Sequence, residues 1–146
     1  IVRMLKILLK GTRKILLLSD RREHLEIIKE YLDRKGIDKS GYYIGGMNQK
    51  DLEKSSQKQL ILATYAMASE GFDVPTLDTL ILASPKSDII QSVGRILRKR
   101  SYERDIHPLV IDIVDPFSIF KRQADKRRRY YKKCNYEIID NNYKMT

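Results

Sequence analysis

QLILATYAMASEGFDVPTLDTLILA, residues 59–83, decides the fold. It holds two apolar runs, QLILAT (59–64) and LDTLILA (77–83), separated by small and turn-forming residues. Runs this short, rich in Leu and Ile and bounded by turns, read as strands buried on both faces. The linker holds Gly71, which permits a tight backbone approach, and Asp73, whose carboxylate suits a pair of sugar hydroxyls. Thr64 closes the first strand at its carboxyl end, where open α/β sheets bind ligands.

Working outward, the same alternation continues on both sides. Upstream, Val2, Leu5, Leu8 and Leu9 recur at helical spacing and Gly11 ends that helix. KILLLS (14–19) is a strand, Asp20 is the expected cap of the next helix, and Leu25, Ile28 and Leu32 mark its buried face up to Gly36. YYIGG (42–46) reads as a short strand with a glycine turn, and Gln49 to Gln57 as a polar helix. Downstream, Pro85 breaks the chain, Asp88 to Arg98 fits a helix, and PLVIDIV (108–114) is a last strand ended by Asp115-Pro116. A final helix runs from about Phe117 to Lys133. Strands alternating with helices predict an α/β fold, a parallel sheet with helices on both faces. One domain over residues 1–133 is expected, followed by a tail at 134–146 without clear periodicity.

Composition narrows the function. The chain has 146 residues, 33% of them charged, with a formal net charge of +10. That excess points to a polyanionic partner such as nucleic acid, acidic lipid or acidic protein. No stretch approaches the roughly 20 apolar residues of a membrane span. The N-terminal IVRMLKILLKGTRK is interrupted by Lys6 and Lys10, unlike a secretory leader, and suggests a helix entered part-way through a longer protein. Cys134 is the one cysteine, and His24 and His107 stand apart from it, so neither a disulfide framework nor a metal site is expected.

QSVGRILRKR (91–100) places two guanidinium groups three residues apart behind a glycine. On a helix, Gln91, Gly94, Arg95 and Arg98 fall within an arc of about 100°. Ile89, Ile90, Val93, Ile96 and Leu97 cover the far side and can pack on a sheet. A helix anchored from behind suits arginines that must meet a phosphate within fractions of an ångström. Further on, KRQADKRRRYYKK (121–133) carries eight basic side chains against Asp125. With Phe117, Phe120, Ala124 and Tyr131 as a packing stripe, Lys121, Arg122, Lys126, Arg129, Lys132 and Lys133 remain outside for a phosphate backbone.

These segments together resemble a known family. ATYAMASEGFDVP followed by QSVGRILR resembles motifs V and VI of superfamily 2 helicases, closest to the XPB-like DNA helicases and the transcript-release helicases of large DNA viruses. KILLLSDRREHLEIIKEYL resembles that branch's motif IV region, YYIGG its following strand and turn, and DIVDPFSIFKRQADKRRRYY its final strand and helix. The resemblance implies a RecA-like helicase C-terminal domain. It implies that Arg98 is an arginine finger on the γ-phosphate of ATP, that Arg95 contacts the same group, and that Gln91 lines the domain interface. Asp73 would bond the ribose hydroxyls with Gly71 beside it, and Thr64, Gly45 and Gly46 would touch the nucleic-acid backbone, as would Arg122, Lys126 and Arg129.

No G-x-x-x-x-G-K-S/T phosphate cradle occurs in the sequence. ATP and Mg2+ are therefore expected to be held mainly by a P-loop domain, the N-terminal RecA-like domain of the same protein, and this chain alone should not hydrolyse ATP. Asp112 and Asp115 read as strand-end carboxylates. DNA is the expected polymer, with RNA also open, and the branch suggests transcription machinery as a partner and an intracellular setting. Two other readings stand beside this one: a non-enzymatic nucleic-acid-binding module with a helicase-like fold, and a domain whose basic helix docks an acidic protein.

Overall fold

The computed structural model describes residues 2–69, 74, 76–83, 109–113, 118–133 and 137–139. Five strands form one wholly parallel sheet: β1 (Ile15–Ser19), β2 (Ser40–Tyr43), β3 (Leu60–Thr64), β4 (Thr79–Leu82) and β5 (Leu109–Asp112). Their spatial order is β2-β3-β1-β4-β5. The helices among the described residues are α1 (Val2–Leu9), α2 (Arg22–Arg34), α3 (Gln49–Ser56), the short α4 (Tyr65–Ser69) and α5 (Ser118–Lys133).

The apolar runs form strands because both faces of the sheet are covered. Alternate residues of β1, β3 and β4 point to opposite sides. Leu16, Leu18, Ile61, Ala63, Leu80 and Leu82 pack with Tyr65 and Ala68 of α4. Ile15, Leu17, Leu60, Leu62 and Ile81 pack with Leu5 and Leu9 of α1 and Leu25, Ile28 and Leu32 of α2. β1, at the centre, is buried at all five positions. Helices on both faces of a parallel sheet are the expected α/β architecture.

Local chemistry sets the connections. Gly36 takes a positive φ of 73° just past α2, and the side chain of Asn48 accepts from Asp51 N at the start of α3. Asp20 does not cap α2; Arg21 holds that position with no side-chain cap bond. Ser19 takes over part of the job, its Oγ accepting from Arg21 N at 3.2 Å. The second strand occupies Ser40–Tyr43 and so begins before the expected YYIGG, with Gly46 in the turn at φ 87°. Gly41 is buried against α3: a Cβ there would lie 2.9 Å from Ser55 Oγ and 3.0 Å from Ser55 Cα.

The amino edge of the sheet is tied together by polar groups. Lys14 Nζ donates to Ser56 O at 2.7 Å and also to Lys58 O. Asp78, buried, accepts from Lys14 N at 3.2 Å and from Thr79 Oγ1 at 2.7 Å, and lies 3.7 Å from Arg13.

Candidate nucleic-acid interface

The carboxyl edge follows from the strand order. β1 sends the chain through α2 on one face, while β3 sends it through α4 on the other. Neighbouring strands whose connections diverge open a crevice at their carboxyl ends, and in doubly wound sheets that crevice is the ligand site. Ser19 and Thr64, the last residues of β1 and β3, are register partners at this crevice.

Thr64 is half-buried, and its Oγ1 accepts from Met67 N at 3.4 Å, a weak cap on α4. The Gly45–Gly46 turn follows β2, the strand beyond β3, at the same edge. Both glycines are exposed, and a Cβ on either would meet nothing within 4 Å. Gly46 needs glycine for its positive φ, but Gly45 needs it for neither packing nor conformation. Its bare backbone is open to solvent.

Sequence reasoning passed over the loop after β1. Ser19 is fully buried, and its Oγ lies 3.2 Å from His24 Nδ1 as well as accepting from Arg21 N. Burial, then the positive charge of Arg21, push His24 below the usual histidine range and keep the ring neutral at pH 7. The loop is thus shaped from inside, while Asp20, Arg21 and Arg22 are exposed. The available signal was SDRR itself, a small polar residue ending a buried strand with two arginines following.

The basic helix is placed by a group that the expected packing stripe omitted. Ala124 and Tyr131 are buried as expected, and Arg127, between them at the same helical spacing, is 1% exposed. Arg127 Nε and Nη2 donate to Asp112 Oδ2 and Oδ1, both at 2.8 Å, and the Tyr131 hydroxyl donates to Asp112 Oδ2 at 3.0 Å. Burial works against the Arg127 charge, but the Asp112 carboxylate outweighs it and the guanidinium is held above its ordinary value. Tyr131 is raised by burial and by the same carboxylate. This pair fastens α5 to the carboxyl end of β5 and turns Arg122, Lys126, Arg129, Lys132 and Lys133 outward.

The fastening also defines what Asp112 is for. A carboxylate with three donors already in place has little left for a metal ion. Among the described residues no three His, Cys, Asp or Glu side chains gather into a metal site. Gly71, Asp73, Gln91, Arg95 and Arg98, with the helix expected over 88–98 and all of the tail at 134–146 but residues 137–139, lie outside the described residues. No helix among the described residues is long and apolar enough to cross a membrane.

Comparison with known proteins supplies the rest. The model of the family described as helicase conserved C-terminal domain matches residues 1–100. A protein of Acanthamoeba polyphaga mimivirus named "Putative ATP-dependent RNA helicase" is 46% identical over 129 residues, covering 86% of this chain and 24% of its own length. A protein of Invertebrate iridescent virus 6 named "Putative helicase" is 36% identical over 101 residues, covering 68% of this chain and 21% of its own. The chain thus spans about a quarter of the length of these relatives. Among solved structures, the C-terminal domain of the DEAD-box protein Dbp5 superposes with a TM-score of 0.69 at 10% identity, covering 91% of this chain and 77% of that one. At that identity the likeness is one of fold, and the fold is that of a RecA-like helicase C-terminal domain.

Proposed function

The chain belongs to the family of helicase conserved C-terminal domains, and on that premise we propose that it is the second RecA-like half of an ATP-dependent DNA helicase or translocase. The carrying observation is the position of Thr64. It ends β3 at the crevice beside β1, so the segment that leads to Gly71 and Asp73 departs from the point where this sheet type takes its ligands.

In this reading ATP and its magnesium are held mainly by an N-terminal P-loop domain of the same protein and are covered from this side. Asp73 bonds the ribose hydroxyls beside Gly71. Arg98 and Arg95 close on the γ-phosphate from the helix expected over 88–98, where Gln91 lines the domain interface. Charge spreads over the γ-phosphoryl oxygens during transfer, and a planar guanidinium supplied across the cleft stabilises it. Thr64 and the Gly45–Gly46 turn hold the strand backbone at the carboxyl edge. Arg122, Lys126 and Arg129 add sequence-independent phosphate contacts from α5. Closure on ATP and opening after hydrolysis then move one set of backbone contacts against the other.

The test uses the full-length protein. Arg98→Ala is expected to lower strand-stimulated ATP hydrolysis by about 10³-fold or more, with Arg98→Lys recovering little because an ammonium lacks the fork. Stimulation retained at the wild-type level would remove Arg98 from the reaction. The mimivirus relative carries RNA in its name, and the same assay run with DNA and with RNA decides the polymer. A full-length protein with no stimulated hydrolysis at all would favour a binding module that keeps the fold without the motor.

A further inference from the structure

We infer that Asp112, Arg127, Tyr131 and Tyr65 form a positioning network that ties the basic face of α5 to the strand end at Thr64. The inference rests on the reading of Thr64 and of Arg122, Lys126 and Arg129 as backbone contacts for a bound strand. It adds residues that touch no strand themselves and set the spacing between those that do.

The two sets of contacts start far apart. Thr64 ends β3 and Asp112 ends β5, with β1 and β4 between them. Three strand spacings amount to about 14 Å, beyond direct side-chain contact. The shared face of the sheet closes the gap. Asp112 is the register partner of Leu82, so its side chain leaves β5 on the same face as Leu82. Leu82 belongs to the apolar cluster that holds Tyr65 and Ala68 of α4, and Val110 of β5 packs against that cluster. α4 and the Asp112 end of α5 therefore meet on one face, reached from β3 and from β5.

Tyr65 bridges them. It follows Thr64 directly, opens α4 and is 3% exposed. It lies near enough to Arg127 and Tyr131 to lift the proton affinity of both. The bond from Met67 N to Thr64 Oγ1 is long, at 3.4 Å, so the buried tyrosine rather than this cap anchors the turn beyond β3. On the other side, three donors fix both oxygens of Asp112. A buried fork of this kind favours one geometry, because a slip leaves a charge unpaired. Lys126 adjoins Arg127, and Arg122 and Arg129 share its helix. The outward cations thus stand at a set distance from Thr64. A polyanion held by one set is presented to the other at high effective concentration, and a loosened network loses that gain.

The test is the binding of a fluorescently labelled single-stranded DNA to the full-length protein without nucleotide, read by anisotropy. Tyr131→Phe keeps the ring and removes one donor to Asp112. Arg127→Met with Asp112→Leu removes the pair without leaving a buried charge. Each is expected to weaken strand binding by about threefold or more while both contact sets are intact. Neither should weaken it further in Thr64→Ala, nor in a protein with Arg122, Lys126 and Arg129 all replaced by Gln. Thermal unfolding of each variant confirms that folded proteins are compared. A purely structural clamp would lower affinity by the same factor in every background, and a clamp without influence would lower it in none; either result overturns the inference. A Thr64→Ala protein that holds the strand as tightly as the native one would instead remove Thr64 from the strand contacts, and with it the reading on which the network rests.

Discussion

Arg127 lies inside a run of basic residues yet is buried to 1%. The reason is geometric: it shares the helical stripe of Ala124 and Tyr131, and Asp112 at the end of β5 offers two oxygens to its fork. Arg127→Met is expected to destabilise the chain by about 3 kcal/mol, because Asp112 is left without its main partner. Pairing it with Asp112→Leu should recover part of that loss, and urea unfolding of the three proteins measures both effects. His24 makes a second residue-scale prediction. Its folded pKa is below the usual 6.5, so the unfolded chain binds the extra proton first on acidification. Stability is therefore fully present above about pH 6.5 and falls as the pH drops from there towards the folded pKa. Unfolding midpoints at pH 7.5 and pH 5.5 should fall less in His24→Gln than in the native sequence.

Among elements, α3 and α5 are held for different reasons. α3 approaches β2 closely because Gly41 has no side chain to keep Ser55 away. Gly41→Ala is expected to cost about 1–3 kcal/mol, the range for overpacking a tight interior contact, and thermal unfolding reads it directly. α5 carries its outward charges on a clamped helix, so they should act as a unit. Replacing Arg122, Lys126 and Arg129 together by Gln is expected to flatten the dependence of log K on log salt by about 2–3 for a bound strand. An unchanged slope would mean that α5 faces away from the phosphates. The order of the five strands and of α1, α2, α3 and α5 was legible in the sequence, since short Leu- and Ile-rich runs punctuated by glycine admit few other forms, whereas α4 stands where a turn was expected. Asp20 misled because a good capping residue stood at the right place, while Ser19 next to it was already buried and bonded inward. The start of β2 was missed because Ser40 and Gly41 look like a turn, and only packing against α3 makes them a strand.

For the whole molecule, the pairing of Ser19 with Thr64 at the carboxyl edge brings together loops that lie far apart in the chain. Thr64 and the Gly45–Gly46 turn were legible beforehand as strand-end and turn residues. Their gathering at one edge was not, because it depends on β3 inserting between β2 and β1, which no local pattern encodes. The clamp of α5 by Asp112 was hidden for the same reason, although the spacing of Ala124, Arg127 and Tyr131 hinted at it. On the proposed function, this half lends its guanidinium groups to a triphosphate held by another domain, and that loan is open to a direct test. It is tested most directly by the affinity of the full-length protein for ADP with aluminium fluoride, a mimic of the transferring phosphoryl group, set beside its affinity for ADP alone. Arg98→Ala should weaken the mimic by about 10²-fold or more while leaving ADP nearly unchanged, since only the mimic carries charge where the finger acts. Equal weakening of both ligands, or of neither, would contradict it.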